Sequence, residues 1–175
     1  MTLTVPCLFG LESLVADEMR RLDLKNVRAE NGRVHCEGTL ADIARLNVNL
    51  RCGARVLMEL GSFPARDFEA LFQGAYALPW ENYIPRDGEF PVKGYSLNSQ
   101  LHSVPACQSI VKKASAKRLG EKYGVETLPE SGSRYQIQFS IIKDVATLYL
   151  DTSGEGLYKR CLLYTSPSPR DRSVS

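Results

Sequence analysis

Apolar residues change their spacing several times along this chain, and each change marks an element. Leu3–Pro6 is a short run with strand character. Leu11, Leu14, Val15 and Leu22 then recur at helical spacing, with Glu12, Asp17 and Arg21 elsewhere on the same helix. NVRAE and RVHCEG flank Asn31-Gly32, a pair that tolerates positive φ and so predicts a β-hairpin. Thr39 with Asp42 reads as a capping box opening a helix whose Leu40, Ile43, Ala44 and Leu50 face inward. Arg55–Leu60 is a further strand. The order β-α-β-β-α-β predicts a ferredoxin-like subdomain over residues 1–61.

From Ser62 the periods differ. Asp67 caps a helix whose Phe68, Leu71, Phe72 and Ala75 form an apolar stripe; Pro79 ends it, and Trp80 follows in a loop. Phe90–Tyr95 is a strand that Pro91 places at an edge or at its own start. Ser103 caps the longest helix, Pro105 sits in its first turn, and Gly124 is its natural stop. Tyr135, Ile137, Phe139 and Ile141 alternate with Gln136, Gln138 and Ser140, which predicts a strand wet on one face. Lys143-Asp144 turns the chain into VATLYLD, its antiparallel partner. The fold class is α+β: a ferredoxin-like subdomain, then a second α/β domain over residues 62–153.

Composition changes this picture only at the C-terminal end. A hydrophobic share of 43% and a charged share of 24% are those of a soluble globular protein, and a net charge of +2 does not by itself announce a nucleic-acid partner. No apolar run approaches the ~18 residues of a membrane span, and the N-terminus lacks a basic leader region, so no membrane partner and a cytoplasmic location are expected. Cys7, Cys36, Cys52, Cys107 and Cys161 are scattered without a CxxC pair, the pattern of reduced thiols rather than of a disulfide framework or zinc site. After Arg160, TSPSPRDRSVS has two prolines, five serines or threonines and almost nothing apolar, so a disordered tail is expected over residues 161–175.

Charge is concentrated on the longest helix. Ser103–Lys122 carries five basic residues against one acid, Glu121. Cys107, Ile110, Val111 and Ala114 share its apolar face; Lys112 and Lys113 are expected to point away, with Lys117 on the border and Arg118 near the C-terminal end. Its first turn offers backbone N–H groups to a phosphate, and the loop Lys93–Gln100 before it is rich in donors. Together they form a candidate phosphate-tracking surface; a plain solvated helix face explains the same lysines. Tyr76, Trp80 and Tyr83 are candidates for base stacking, with an anchor at the junction of the subdomains the preferred reading for Trp80. His35 and His102 have no nucleophile at motif spacing, there is no Walker loop or GxSxG, and Gly154-Glu155-Gly156 lacks a strand before it and a helix after it. Asp144, Asp151 and Glu155 are not at metal-ligand spacing. No catalytic, cofactor-binding or metal residue is assigned.

FGLESLVADEMRRL, NGRVHCEG, NVNLRCGARVLMELGSF, LPWENYIPRDGEFPVKGYSLNSQLHSVPACQSIVKKA and IIKDVATLYLDTSGEGLYKR resemble, in order, the N-terminal region of THUMP-containing RNA methyltransferases, nearest the bacterial 23S rRNA guanine-N2 group. The resemblance covers residues 1 to 160. It implies a ferredoxin-like segment and a THUMP domain that deliver structured RNA, here 23S rRNA, to a class I methyltransferase domain using S-adenosylmethionine. The family continues after Arg160 with Gly-Tyr-Arg, whereas here Cys161 follows and the likeness stops. Residues 154–160 are therefore expected to be a connector to a missing catalytic domain, and 161–175, beginning CLLYTSPSPRD, sequencing-adapter read-through. This fragment is then expected to bind RNA through Lys93, Asn98, Lys112, Lys113, Lys117 and Arg118, with Lys159 and Arg160 in the connector, but not to bind cofactor or catalyse. The alternatives are the THUMP module of a tRNA-modifying enzyme and a scaffold domain that binds no RNA.

Overall fold

A computed structural model describes residues 1–157 and divides them into two compact units, Met1–Leu57 with the segment from Thr152, and Met58–Asp151. Lys159, Arg160 and the tail lie outside the described residues.

The first unit contains β1 (Thr2–Pro6), α1 (Glu12–Arg21), β2 (Lys25–Glu30), β3 (Arg33–Glu37) and α2 (Leu40–Asn49), and leads into β4 (Leu57–Pro64). β3 lies between β1 and β2, antiparallel to both, with Leu3 opposite Cys36 and Val5 opposite Val34. This is the expected ferredoxin-like order. The hairpin turn falls at Asn31-Gly32, but only Gly32 takes a positive φ, +74°. Glu12, at the start of α1, locks that turn: its carboxylate accepts the Gly32 N–H at 2.9 Å and the Gly10 N–H at 2.8 Å. These donors hold its carboxyl below the usual carboxylate range, the Gly32 bond first.

Both helices of this unit rotate away from the expected inward faces. In α1 the buried residues are Val15, Ala16 and Met19, while Leu14 is exposed. The capping box of α2 forms as expected, Asp42 N–H to Thr39 and Thr39 N–H to Asp42, yet Leu40 and Ala44 face out and Leu46 and Leu50 go in. The i, i+4 pair that packs, Leu46 with Leu50, lies six residues beyond the pair Leu40 and Ala44.

After β7 the chain returns to this unit. Thr152 N–H and hydroxyl both donate to Val56 O, Ser153 Oγ accepts the Val56 N–H and donates to Asn47 Oδ1, and Leu157 N–H donates to Ala54 O. Within the expected connector, Leu157 is thus tied by a backbone bond, and Thr152 and Ser153, expected at the end of the second domain, bond to the first unit.

The second unit holds most of β4, then α3 (Phe68–Ala77), a 3-10 turn (Trp80–Asn82), β5 (Val92–Leu97), α4 (Val104–Tyr123), β6 (Ile137–Ile142) and β7 (Val145–Asp151). Its strands run in the order β4-β7-β6-β5, with β5 parallel to β6 and β6 antiparallel to β7. Asp67 caps α3 by accepting the Ala70 N–H at 2.7 Å, and β5 starts just after Pro91 at the end of the strand order, as expected. Ser103 makes no side-chain cap on α4, whereas Gly124 closes it with φ +64°.

One face of β6 and β7 (Ile137, Phe139, Ile141, Ala146, Leu148) packs with Leu71 and Ala75 of α3 and Cys107, Val111, Ala114 and Leu119 of α4. At Gly94 on β5, a Cβ would come within 2.3 Å of Phe139 O and 2.5 Å of its ring, so no side chain fits there. The opposite face of β6 is not wet as the alternation suggested. Ser140 is buried against the Tyr149 hydroxyl and Gln138 donates to Asp151. Trp80 is wholly buried in this unit's core, its indole N–H on Ala75 O at 2.7 Å, so its ring is not available to stack bases.

Candidate nucleic-acid interface

The basic helix α4 sorts its cations into two groups. Lys112 does not point away as expected. It is half-buried, with its ammonium 2.6 Å from Glu130 Oε2, 3.2 Å from Phe90 O and 3.4 Å above the centre of the buried Phe90 ring. Arg118 makes two bonds to Glu81, Nη2 to Oε1 at 2.7 Å and Nε to Oε2 at 3.1 Å, a fork geometry that fixes both groups. Each partner responds: Arg118 pulls the Glu81 carboxyl down, and Glu81 raises the Arg118 guanidinium. Lys122 lies 3.8 Å from the same carboxylate.

Lys113 and Lys117 remain, exposed four residues apart and hence on one side of the helix. Among the described residues neither has a carboxylate partner. Lys117 instead sits 5.5 Å from the Tyr76 ring centre and 5.9 Å from that of Phe72, two rings of α3 stacked on each other at 6.3 Å and 8°. Tyr76 is further held by Arg118, 6.0 Å from its ring, and by a hydroxyl bond to Glu121. Cationic side chains over half-exposed aromatics are what a phosphate backbone with unstacked bases engages. Of the three aromatics singled out, Tyr76 occupies such a place; the Tyr83 backbone closes the 3-10 turn.

Lys93 and Asn98 are exposed but do not join this surface. Lys93 alternates with Val92 and Gly94 on β5, so it emerges from the face of the strand opposite the one that packs on Ile137 and Phe139. Asn98 ends that strand at φ +50°. Two donors of the following loop are already used: Ser99 hydroxyl and Gln100 N–H both bind Asp144 Oδ1 at 2.8 Å. Asp144, held below the usual carboxylate range mainly by those two bonds, supplies the anion that the loop was expected to take from RNA.

The remaining chemistry is quiet. His35 Nδ1 meets the Thr4 hydroxyl at 2.9 Å and His102 Nδ1 lies 2.9 Å from Gln100 O. Cys7, Cys36, Cys52 and Cys107 are free thiols; burial pushes Cys36 up to about 11 and raises the other three as well. Among the described residues no group of His, Cys, Asp and Glu could hold a metal, and no helix is long and apolar enough to cross a membrane.

Residues 2–57 match the family model of the RlmL ferredoxin-like domain, and residues 65–151 match that of the THUMP domain. The chain is an RlmL-type ferredoxin-like domain followed by a THUMP domain. Over 161 residues it is 40% identical to the Bacillus subtilis protein named "Putative RNA methyltransferase YpsC", covering 91% of this chain and 42% of that protein. It is 29% identical to the ribosomal RNA large subunit methyltransferase K/L of Pseudomonas aeruginosa, covering 90% of this chain and 22% of that one. The solved structure of SMU.472 with bound SAH superposes with a TM-score of 0.88 at 42% identity, over 96% of this chain and 45% of its own. The chain thus spans less than half the length of each of these relatives. The α4 lysines described above belong to the THUMP domain.

Proposed function

We propose that this chain is the RNA-recognition part of an S-adenosylmethionine-dependent RNA methyltransferase acting in the cytoplasm. The observation that carries this reading is the pair of unpaired, exposed lysines on α4, beside two stacked aromatics, in a THUMP domain. Lys113 and Lys117 are the principal phosphate contacts, Lys93 and Asn98 a separate exposed contact, and Lys112 and Arg118 hold the surface in place. RNA contact is also proposed for Lys159 and Arg160 of the connector sequence, and residues 161–175 are read as sequencing-adapter read-through. The relatives named as RNA and ribosomal RNA large subunit methyltransferases support an RNA target; 23S rRNA as that target and guanine N2 as acceptor, with the chemistry and S-adenosylmethionine site in a further domain, rest on the motif resemblance alone. Residues 1–61, 62–153 and 154–160 are the corresponding subdomain, THUMP domain and connector.

A filter-binding series at low salt tests the reading, using 23S rRNA fragments, a tRNA transcript and a DNA duplex of equal length. Tightest binding to an rRNA fragment is the expected result. Preference for tRNA would transfer the module to a tRNA-modifying enzyme, and no RNA binding would make it a scaffold.

A further inference from the structure

The lysines also border a cleft. At Gly124 the chain reverses, and Val125–Glu130 runs back along α4. This strap is tied at both ends: Val125 N–H donates to Gly120 O at 3.0 Å, and Glu130 is held by Lys112 at 2.6 Å and accepts the Phe90 N–H at 3.4 Å. The cleft so formed is ≈ 530 Å³. Ala116, Gly120, Val125 and Leu128 give it an apolar lining, with Lys113 and Lys117 exposed along one side. Of the three lining carboxylates, Glu130 is neutralised by Lys112 and Glu121 accepts the Tyr76 hydroxyl, which leaves Glu126 to accept hydrogen bonds.

An occupant must therefore combine an anionic group for the two lysines, a flat apolar body for the lining, and N–H donors for Glu126. We infer that the cleft takes one unpaired nucleotide of the bound RNA: phosphate on Lys113 and Lys117, base against Ala116 and Leu128, and base amino or imino edge toward Glu126. The inference rests on the RNA-binding reading above. It adds a specificity, because a continuous duplex keeps its bases stacked inside and offers only phosphates to the lysines. Lys112 thereby acquires a positioning role, holding the far end of the strap rather than touching RNA.

The test compares two RNA hairpins, one with a fully paired stem and one with a single unpaired guanosine bulged from the same stem, by fluorescence anisotropy with the whole chain. The expected result is about tenfold tighter binding of the bulged RNA, a difference of ~1.4 kcal/mol. Ala116→Leu should fill the cleft and abolish the preference for the bulged RNA; thermal melts verify that it folds. If it does not fold, Thr127→Leu fills from the exposed opposite wall. Equal parental affinity for the two RNAs, or a preference that survives filling, overturns the nucleotide site even if Lys113→Glu with Lys117→Glu weakens binding to both. Failure of the parent to bind either RNA overturns the underlying RNA reading instead.

Discussion

Neighbouring lysines on one helix can have opposite employment, and Lys112 and Lys113 are such a pair. Lys112 serves Glu130 and the Phe90 ring, whereas Lys113 is exposed and has no carboxylate partner among the described residues. Lys112→Glu would set two carboxylates against each other over a buried ring; we expect a lower urea midpoint. Lys113→Glu should leave stability within about 0.5 kcal/mol, as exposed substitutions do. If the two variants unfold at the same urea concentration, Lys112 is not structural. A second residue-scale prediction concerns acid. Glu12 has a lowered carboxyl pKa in the fold, so its stabilisation is complete above the ordinary value near ~4.3 and is lost as pH falls through the lowered one. Glu12→Gln should therefore lower the urea midpoint at pH 6 and narrow its gap from the parent toward pH 3; a constant gap would remove the carboxylate from the account. At this scale the sequence was partly legible. Five cations on one helix were visible, but their partners Glu81 and Glu130 lie 37 and 18 residues away, beyond any local pattern.

Elements were easier to read than their faces. All of the expected helices and strands are present with short boundary shifts, because turn and capping chemistry (Asn31-Gly32, Thr39 with Asp42, Asp67, Gly124) acts locally. Inward faces were misjudged in α1 and α2, where apolar residues outnumber the buried positions and only packing selects among them. The polar side of β6 was misjudged similarly, since Ser140 is compatible with either water or the buried Tyr149 hydroxyl. Gly94 carries the sharpest prediction at this scale. A methyl there meets Phe139 O in the neighbouring strand, so Gly94→Ala should cost about 3 kcal/mol, the upper end of overpacking penalties, read as a lower denaturant midpoint at unchanged m-value. An unchanged midpoint would show that β5 shifts freely against β6.

For the molecule as a whole, the weak net charge of +2 conceals its useful distribution. Internal pairs hold Lys112, Arg118 and Lys122, and the loop before α4 has its own Asp144 as anion, so the broad basic surface expected from sequence contracts to Lys113 and Lys117 beside Phe72 and Tyr76. The family resemblance supplied the domain types, whereas the contracted site required the fold. The central claim is that these two lysines contact RNA phosphates, and the salt dependence of binding addresses it most directly. The affinity of the chain for a 23S rRNA fragment should be titrated across salt concentration, alongside Lys113→Glu with Lys117→Glu. Loss of two phosphate contacts should lower the log–log slope by about 1.4–1.8 in magnitude, at about 0.7–0.9 per contact, and weaken binding at every salt concentration. Parental affinity and slope in the double variant would contradict the account.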